Sequence, residues 1–308
     1  MKKLTIGLVL ILLLTPVCAN AQVLIPGGQV VGIRLGDPLT IAAFEPRSSA
    51  RDAGLQIGDR ITHINNIKIA TVDELRDAVK ASEGAVSIGY IRSGKEQTIS
   101  VKPKSGLLGI YMTQPINGIG TVTYYDPISG NYGALGHGIN DKNGNLSDRK
   151  QGTVYDSEVL SIRPGSSGDP GKLIGSLHVD APLGTLDKNT PQGIFGTLNS
   201  VPQNTPLETG TAQVGDATIR CTVHGCALQD YSVKILKIYA SDRQNGRNML
   251  LQITDPALLR ATNGIVQGMS GSPIIQDGKL IGAVTHVLVN DPTTGYGIFI
   301  ENMLDAAA

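Results

Sequence analysis

Charge of either sign is scarce in this sequence, and neither sign is in excess. Charged residues make up 17% of the 308 residues, with 26 Lys and Arg against 26 Asp and Glu. Proteins that bind nucleic acid usually carry a basic excess, so this balance argues against a nucleic-acid partner. Hydrophobic residues make up 41%, which is enough for packed cores and excludes a disordered chain. The length suggests about two domains.

Long helical patterns are also missing, because glycine and proline interrupt the chain throughout. There are 38 Gly and 16 Pro, and no Trp. A chain that turns this often cannot form a long helical bundle or a coiled coil, and short strands joined by turns are expected. The predicted fold class is therefore mainly β.

Long hydrophobic runs are absent apart from one near the N-terminus. Lys2 and Lys3 precede the apolar run from Leu4 to Val17, and Ala19-Asn20-Ala21 has the small-x-small pattern that signal peptidase cleaves. The run is shorter than the roughly 20 residues that span a bilayer. Residues 1–21 are predicted to be an export signal, with a retained hydrophobic anchor as the alternative. The remaining chain is then expected to work outside the cytoplasm.

Cysteine is rare, and one of the three residues, Cys18, belongs to the predicted signal. Cys221 and Cys226 bracket a tight turn, and outside the cytoplasm a local disulfide between them is one interpretation. A metal site that includes His224 is a second, although three ligands lack the fourth that a structural zinc ion needs. Two free thiols are the third.

Residues 28–103 show the pattern of a small α/β module. Thr71 and Glu74 form a capping box at the start of a helix predicted over Val72 to Ser82. After the helix, Ser93-Gly94 predicts a hairpin. Before the helix stands the run Ala53-Gly54-Leu55-x-x-Gly58-Asp59-x-Ile61-x-x-Ile64-Asn65. The run and the helix together resemble a PDZ domain in circularly permuted form.

The PDZ resemblance implies a groove for an extended peptide or a C-terminal tail. Such domains add the peptide as a strand at a sheet edge, and backbone N–H groups hold its terminal carboxylate. The matching loop is expected from Gly28 to Ile33, with Gly28, Val31, Gly32 and Ile33 as the binding residues. The alternative is a structural domain with an empty groove.

Residues 107–308 contain a candidate nucleophile. Regularly spaced Gly and Pro favour a barrel or sandwich, and near the end stands Gln267-Gly268-Met269-Ser270-Gly271-Ser272-Pro273. A serine between glycines suits a nucleophile on a tight turn, with backbone N–H groups free for an oxyanion. Ser272 competes for this role, but Ser270 is favoured because a small residue is usual two positions after the nucleophile. The alternative is an ordinary glycine-rich hairpin.

A nucleophilic serine needs a base, and histidine is the usual one. His137 is favoured because flanking glycines leave its ring open, and because His before Ser is the chymotrypsin order. The two residues are far apart in sequence, so they are expected to come from different sub-barrels with the site at their seam. The other candidates are His63, His178, His224 and His286. His286 is expected either to line the substrate pocket or to be a satisfied histidine at a strand end.

Five motifs of this region stand in a recognisable order. They are Gly133-Ala134-Leu135-Gly136-His137, Ile253-Thr254-Asp255-Pro256-x-Leu258-Leu259, Gly264 to Ile275, Gly282-Ala283-Val284-Thr285-His286-Val287 and Asn290-Asp291-Pro292-Thr293-Thr294-Gly295-Tyr296-Gly297. They resemble the SpoIVB peptidase family, exported serine peptidases of endospore-forming bacteria. The resemblance implies a hydrophobic N-terminal segment, a PDZ domain (28–103) and a chymotrypsin-like double β-barrel peptidase domain (107–308).

The family resemblance also implies the site residues. It places the general base at His137, its orienting carboxylate at Asp255 and the nucleophile at Ser270, with the N–H groups of Gly268 and Ser270 as the oxyanion hole. Spacing alone would favour Asp180, because the ordinary chymotrypsin order puts the aspartate well ahead of the serine. No metal or organic cofactor is implied.

The implied function is that of a signalling endopeptidase. It would act close to the membrane, in the space between forespore and mother cell, and cleave a regulator of an intramembrane protease so that sigma-K is released from its precursor. Cleavage of its own chain is expected as well. The alternatives are a quality-control protease of the HtrA type, in which the protease domain precedes the PDZ domain, and a non-catalytic PDZ adaptor.

Overall fold

The computed structural model of the protein describes residues 21–149, 151–241 and 246–308. The predicted export signal, residues 1–21, lies outside these ranges except for Ala21. No helix in the described ranges is long and apolar enough to cross a membrane.

Strands account for most of the regular structure in the described residues. In chain order they are Val23–Pro26 (β1), Val30–Leu35 (β2), Ile41–Phe44 (β3), Arg60–Ile64 (β4), Ile67–Lys68 (β5), Val86–Arg92 (β6), Lys95–Val101 (β7), Ile110–Met112 (β8), Ile116–Tyr125 (β9), Asn131–Ala134 (β10), Gly152–Asp156 (β11), Val159–Arg163 (β12), Lys172–Gly175 (β13), Pro182–Leu186 (β14), Lys188–Thr190 (β15), Gly193–Thr197 (β16), Leu207–Glu208 (β17), Gly215–Thr222 (β18), Leu228–Ile238 (β19), Met249–Ile253 (β20), Pro273–Gln276 (β21), Lys279–Leu288 (β22) and Asp291–Phe299 (β23). The helices are Ser49–Ala53 (α1), Val72–Lys80 (α2), Pro256–Thr262 (α3) and Ile300–Ala307 (α4).

The first barrel combines strands that are distant in sequence. Its sheet has the order β14-β11-β2-β9-β10-β16-β15, and β1 pairs with β9 and β17. The sheet curls until β14 meets the chain just after β16, at an isolated bridge between Gly184 and Leu198. Glycine is required there, because a Cβ at Gly184 would lie 2.1 Å from the Thr197 carbonyl oxygen. Its core includes Ile25, Leu35 and Val122.

The second barrel is closed, with the strand order β18-β19-β20-β23-β22-β21. Its core includes Ile219, Ile235 and Ile274. Helix α4 buries Ile300 and Met303 in a cluster that takes side chains from both barrels. The predicted mainly β fold with a double barrel is therefore confirmed.

The α/β module has its own core and the local features that the sequence predicts. The Glu74 N–H donates to the Thr71 Oγ1 at 3.1 Å, so the capping box starts α2 as expected, and α2 buries Leu75 and Val79. Ser93 and Gly94 have φ values of +50° and +75°, as the tight turn between β6 and β7 requires. The sheet order of the module is β5-β4-β6-β7, with β3 and β8 as a separate pair.

The module is inserted into the first barrel and does not precede it. β2 pairs with β9, from Val30 opposite Thr121 to Leu35 opposite Ile116, and its other edge pairs with β11. The predicted boundaries 28–103 and 107–308 therefore need correction. Residues 23–35 belong to the peptidase barrel, because the apolar strand β2 is buried there between β9 and β11. The core of the α/β module runs from Leu39 to Met112.

The two cysteines of the described residues are free, so the disulfide interpretation is wrong. Cys221 is buried inside the second barrel on β18, and burial raises the pKa of its thiol to about 12. Cys226 is exposed in the following turn. The described residues contain no cluster of three or more His, Cys, Asp or Glu side chains that could share a metal ion.

Candidate active site

A cleft of about 550 Å³ between the barrels contains Ser270, His137 and His286. Strands β2 and β9 and the loop after β10 line it from the first barrel. The loop before β21 and the end of β22 line it from the second barrel. The structure thus brings the predicted nucleophile and base to one cleft at the seam between the barrels.

Ser270 lies in the loop between α3 and β21. Its Oγ donates a hydrogen bond to the Thr285 carbonyl oxygen at 2.8 Å, and within the described residues no hydrogen bond joins it to His137. Gly268 and Gly271 have φ values of +100° and +96°, and a Cβ at Gly271 would lie 2.0 Å from a carbonyl oxygen of β9. The glycines around the serine are therefore required by the shape of this loop.

Between residues 267 and 271 of the nucleophile loop, two backbone N–H groups have no acceptor among the described residues. Every carbonyl oxygen from residue 267 to 271 accepts a hydrogen bond. The donors are, in order, the Leu173 N–H, the Thr121 hydroxyl, the Ser272 N–H and hydroxyl, the Thr121 N–H and the Thr123 hydroxyl. In the described part of the chain, the N–H groups of Gly268 and Ser270 donate to no protein acceptor. Both residues line the cleft, so both donors are available to an oxyanion.

Ser272, the competing candidate, is buried in the structure. It is 0% exposed, and its Oγ donates to the Met269 carbonyl oxygen at 2.6 Å. Its hydroxyl holds the loop, whereas the hydroxyl of Ser270 lies at the cleft.

His137 reaches the cleft through a turn after β10, in which Leu135 and Gly136 have φ values of +69° and +68°. Its Nδ1 lies 2.9 Å from the Gly138 carbonyl oxygen. A carbonyl oxygen can only accept, so Nδ1 carries the proton and Nε2 is free to accept one, as a general base must. Burial lowers the pKa of His137 below its ordinary value, which keeps the ring neutral at pH 7.

His286 lines the cleft beside His137, as expected if it belongs to the substrate pocket. The two ring centroids are 5.2 Å apart. Burial, with the nearby charges of His137 and Arg247, lowers the pKa of His286 to about 4. Its Nδ1 is buried and has no hydrogen-bond partner among the described residues. His286 is therefore not the hydrogen-bonded strand-end histidine that the alternative interpretation expects.

Asp255 does not lie beside His137. Its Oδ1 accepts hydrogen bonds from the N–H groups of Ala257 and Leu258 at 2.8 and 3.0 Å, and its Oδ2 accepts one from Ser232 at 3.4 Å. Asp255 is therefore the N-cap of α3, and the described residues show no hydrogen bond or ion pair between it and His137. An aspartate directly before Pro256 is a helix-start signal that the sequence contains.

No other acid takes the place of Asp255 within the described residues. Asp180, favoured by spacing, is exposed in the turn before β14. The group that orients the imidazole in this structure is the Gly138 carbonyl oxygen. The structure thus shows a serine–histidine pair with a backbone acceptor in the usual position of the carboxylate.

The predicted carboxylate-binding loop is not in the PDZ-like module. Gly28 lies where the two barrels meet, and its carbonyl oxygen accepts a hydrogen bond from the hydroxyl of Thr222 on β18 at 3.2 Å. Val31, Gly32 and Ile33 lie on β2 of the first barrel, where they pair with β9 and β11. Of the four, Ile33 is the one that lines the catalytic cleft.

A groove of about 360 Å³ does exist in the module, between α2 and β8. Its lining includes Val72, Leu75 and Val79 of α2, and residues 106–112 opposite them. The backbone N–H groups of Leu108 and Gly109 have no hydrogen-bond acceptor among the described residues. The sequence contains the signal for this loop in Gly106-Leu107-Leu108-Gly109-Ile110, which the predicted domain boundary divides.

Comparison with known families fits this geometry. A model of the SpoIVB peptidase S55 family matches residues 104–304, and a PDZ domain model matches residues 40–88. The first match covers more than half of the chain. The chain belongs to the SpoIVB peptidase S55 family. This family is one of peptidases, and the second match assigns a PDZ domain to residues 40–88.

Individual relatives are more distant. Over 114 residues the chain is 28% identical to the zinc metalloprotease RasP of Geobacillus kaustophilus (strain HTA426), which is 31% of this chain and 27% of that protein. The match thus spans about a quarter of the length of this curated relative.

Two solved structures show partial likeness. The Rv3671c protease from M. tuberculosis in its active form is 15% identical, over 63% of this chain and 73% of that chain, with a TM-score of 0.34. The PDZ domain of an SdrC-like protein from Listeria monocytogenes is 23% identical, over 25% of this chain and 90% of that one, with a TM-score of 0.22. At these scores neither likeness decides the fold, which rests on the strand pairing.

The lowered pKa of His137 sets the acid limb of activity. Cleavage needs the neutral ring, so kcat/KM should stay high as the pH falls to 6.5 and decline only below that value. The measurement is the pH dependence of kcat/KM on a peptide substrate, with His178→Asn as a control at an exposed histidine. An acid limb centred at pH 7 or above would contradict the burial of a neutral base.

The N-cap role of Asp255 predicts a mild effect of Asp255→Asn. Asn caps a helix as well as Asp does, so kcat should change by no more than a few-fold, whereas Asp255→Ala should lower the free energy of unfolding by about 1 kcal/mol. Steady-state kinetics and denaturant unfolding measure the two effects. A loss of about four orders of magnitude in kcat for Asp255→Asn would instead restore it as the orienting carboxylate.

Proposed function

We propose that this chain is an exported serine endopeptidase of sporulation signalling, which cleaves a regulator of an intramembrane protease. The main observation behind the proposed chemistry is that the Gly268 and Ser270 N–H groups have no acceptor among the described residues and line the cleft. Ser270 shares that cleft with the neutral His137. Membership of the SpoIVB peptidase S55 family supports the biological setting.

The reaction begins when the Ser270 hydroxyl leaves the Thr285 carbonyl oxygen and turns to the Nε2 of His137. Ser270 Oγ attacks the substrate carbonyl while Nε2 takes its proton, and the imidazolium then gives that proton to the leaving amine. A water molecule, activated by the same nitrogen, hydrolyses the acyl-enzyme. The bond from Nδ1 to the Gly138 carbonyl oxygen keeps the ring in one orientation throughout.

The tetrahedral oxyanion is held by the N–H groups of Gly268 and Ser270. Each such donor contributes about 3 kcal/mol to lowering the barrier in serine peptidases. The donors act without reorganisation because the surrounding carbonyl groups are already hydrogen-bonded.

The substrate is a peptide with apolar side chains next to the scissile bond. Aliphatic residues dominate the lining of the cleft, and its described lining includes no Asp, Glu, Lys or Arg. A charged side chain would lose its hydration there without gaining a partner. Cleavage after or near an aliphatic residue is therefore expected.

The PDZ groove holds either the tail of a partner or a segment from the N-terminal part of this chain, which would then be cleaved in cis. Four residue steps separate Met112 at the end of β8 from Ile116 at the start of β9, so groove and cleft approach within about 14 Å along the chain. Ile116 itself lines the cleft. A peptide held in the groove thus gains an effective concentration in the millimolar range. The proposed site of action is the space between the forespore and mother-cell membranes, and release of mother-cell sigma-K from its precursor follows the cleavage.

The serine chemistry is tested by a fluorophosphonate probe and by mass spectrometry of cleaved peptides. Wild-type protein and Ser272→Ala should form the adduct and cleave, whereas Ser270→Ala should do neither and remain folded. In sporulating cells, Ser270→Ala should leave the sigma-K precursor unprocessed. A wild-type protein that forms no adduct would indicate a non-catalytic PDZ adaptor instead.

The role of the groove is tested by Leu107→Asp. Leu107 is 51% exposed and lines the groove next to the N–H groups of Leu108 and Gly109, where we propose that a peptide carboxylate binds. A negative charge there should repel a peptide terminus without unfolding the module. Cleavage of the tail-bearing partner, or of the chain itself, should fall about tenfold or more, while hydrolysis of a short peptide is unchanged. Ile57→Asp, at a 67% exposed site outside the groove, is the matched control. Unchanged cleavage of every substrate would mean that the groove is empty.

A further inference from the structure

Thr121 on β9 contacts the nucleophile loop at two points. Its hydroxyl donates to the Gly268 carbonyl oxygen at 2.8 Å, and its N–H donates to the Ser270 carbonyl oxygen at 3.0 Å. Gly268 and Ser270 line the cleft, and their own N–H groups donate to no acceptor among the described residues. One residue of the first barrel therefore holds the carbonyl groups of both oxyanion-hole residues.

The same residue is bonded to the segment that carries the base. The Thr121 carbonyl oxygen accepts from the Leu135 N–H at 3.2 Å. Leu135 and Gly136 adopt positive φ values immediately before His137, a backbone shape that needs support from its surroundings. Thr121 thus connects the nucleophile loop of one barrel to the histidine turn of the other.

The hydroxyl of Thr121 is not explained by packing. Thr121 is 0% exposed, and valine has the same shape without a polar atom. A buried hydroxyl costs free energy unless it is hydrogen-bonded. Here its acceptor is the carbonyl group of a glycine, and the backbone of glycine can rotate more freely than that of any other residue.

We propose that Thr121 is a positioning residue for the oxyanion hole, an inference that rests on the proposed serine-peptidase function. Without its hydroxyl, the buried Gly268 carbonyl group loses its donor and the peptide unit reorients to find another. This unit joins the Gly268 carbonyl group to the Met269 N–H, and it lies between the two peptide units that carry the Gly268 and Ser270 N–H groups. Its rotation, which no side chain at Gly268 restrains, changes the torsion angles between those two units, so the two N–H groups no longer converge on one oxyanion. The loss is felt in the transition state, where the oxyanion exists, and much less in substrate binding.

The test compares Thr121→Val, Thr121→Ser and Thr222→Val in the full chain, with a short apolar peptide as substrate. Thr121→Val should lower kcat about 10- to 100-fold and change KM by less than about twofold, since removal of an oxyanion donor costs 10²–10³ in kcat. Thr121→Ser, which keeps the hydroxyl, should recover most of kcat. Thr222→Val is the matched control, because Thr222 is also a buried threonine whose hydroxyl donates to a glycine carbonyl oxygen, that of Gly28. The kcat of Thr222→Val should stay near that of wild type, while its melting temperature should fall about as much as that of Thr121→Val.

A second readout separates positioning from a structural role. A peptidyl aldehyde forms a tetrahedral adduct with Ser270 and places its oxygen in the oxyanion hole, so its affinity for Thr121→Val should fall in parallel with kcat, while a product peptide binds as before. If Thr121→Val does not fold, Thr121→Cys, which retains only a weak donor, is compared with Thr121→Ser in the same assays.

Several results would overturn the inference. They are a Thr121→Val enzyme with the kcat of wild type, a loss confined to KM, failure of Thr121→Ser to recover activity, and a Thr222→Val enzyme that loses as much kcat as Thr121→Val. A wild-type chain that neither hydrolyses the peptide nor reacts with a fluorophosphonate would overturn the proposed function itself, and is recognised before any variant is compared.

Discussion

The catalytic geometry depends on one hydrogen-bonded contact, between β9 of the first barrel and the nucleophile loop of the second. Thr121 and Thr123 donate their hydroxyl groups to the carbonyl oxygens of Gly268 and Gly271, on either side of Ser270. Both threonines are fully buried, so an unpaired hydroxyl or carbonyl group would cost about 1–3 kcal/mol. These bonds therefore favour the observed docking of the barrels, in which the Gly268 and Ser270 N–H groups line the cleft without an acceptor among the described residues.

The insertion of the PDZ domain places the peptide groove on the same strand path. The chain leaves the first barrel after β2, forms the PDZ domain and returns as β9, which pairs with β2 along its length. Because β2 and β9 are neighbours, the insertion joins two points that the barrel already holds together. Its closure therefore costs the barrel little conformational entropy. β8, which forms one wall of the groove, is followed by β9 after residues 113–115. A peptide bound in the groove thus contacts the strand that leads directly to Thr121.

Local signals predict much of this structure, and long-range pairing accounts for what the sequence leaves undecided. The capping box of Thr71 and Glu74 and the hairpin at Ser93 involve contacts within a few residues, which a sequence shows directly. The Gly28 to Ile33 segment reads like a PDZ loop because its partner, β9, lies some ninety residues further along the chain. Asp255 has two interpretations, helix cap and catalytic acid, and the family pattern does not distinguish them. Only the fold shows its three backbone N–H partners.

The hydrogen bond between His137 and the Gly138 carbonyl group bears on how the charged form of the base is stabilised. When His137 takes the Ser270 proton, the new imidazolium is buried, and the Gly138 carbonyl dipole is the group that faces its Nδ1. A dipole stabilises that charge less than a carboxylate would, and burial disfavours the charge further, as the lowered pKa of His137 shows. His286 adds no repulsion, because its own pKa of about 4 keeps it neutral. The oxyanion of the tetrahedral intermediate carries the opposite charge in the same cleft, so the two donors that fix the oxyanion also favour the imidazolium.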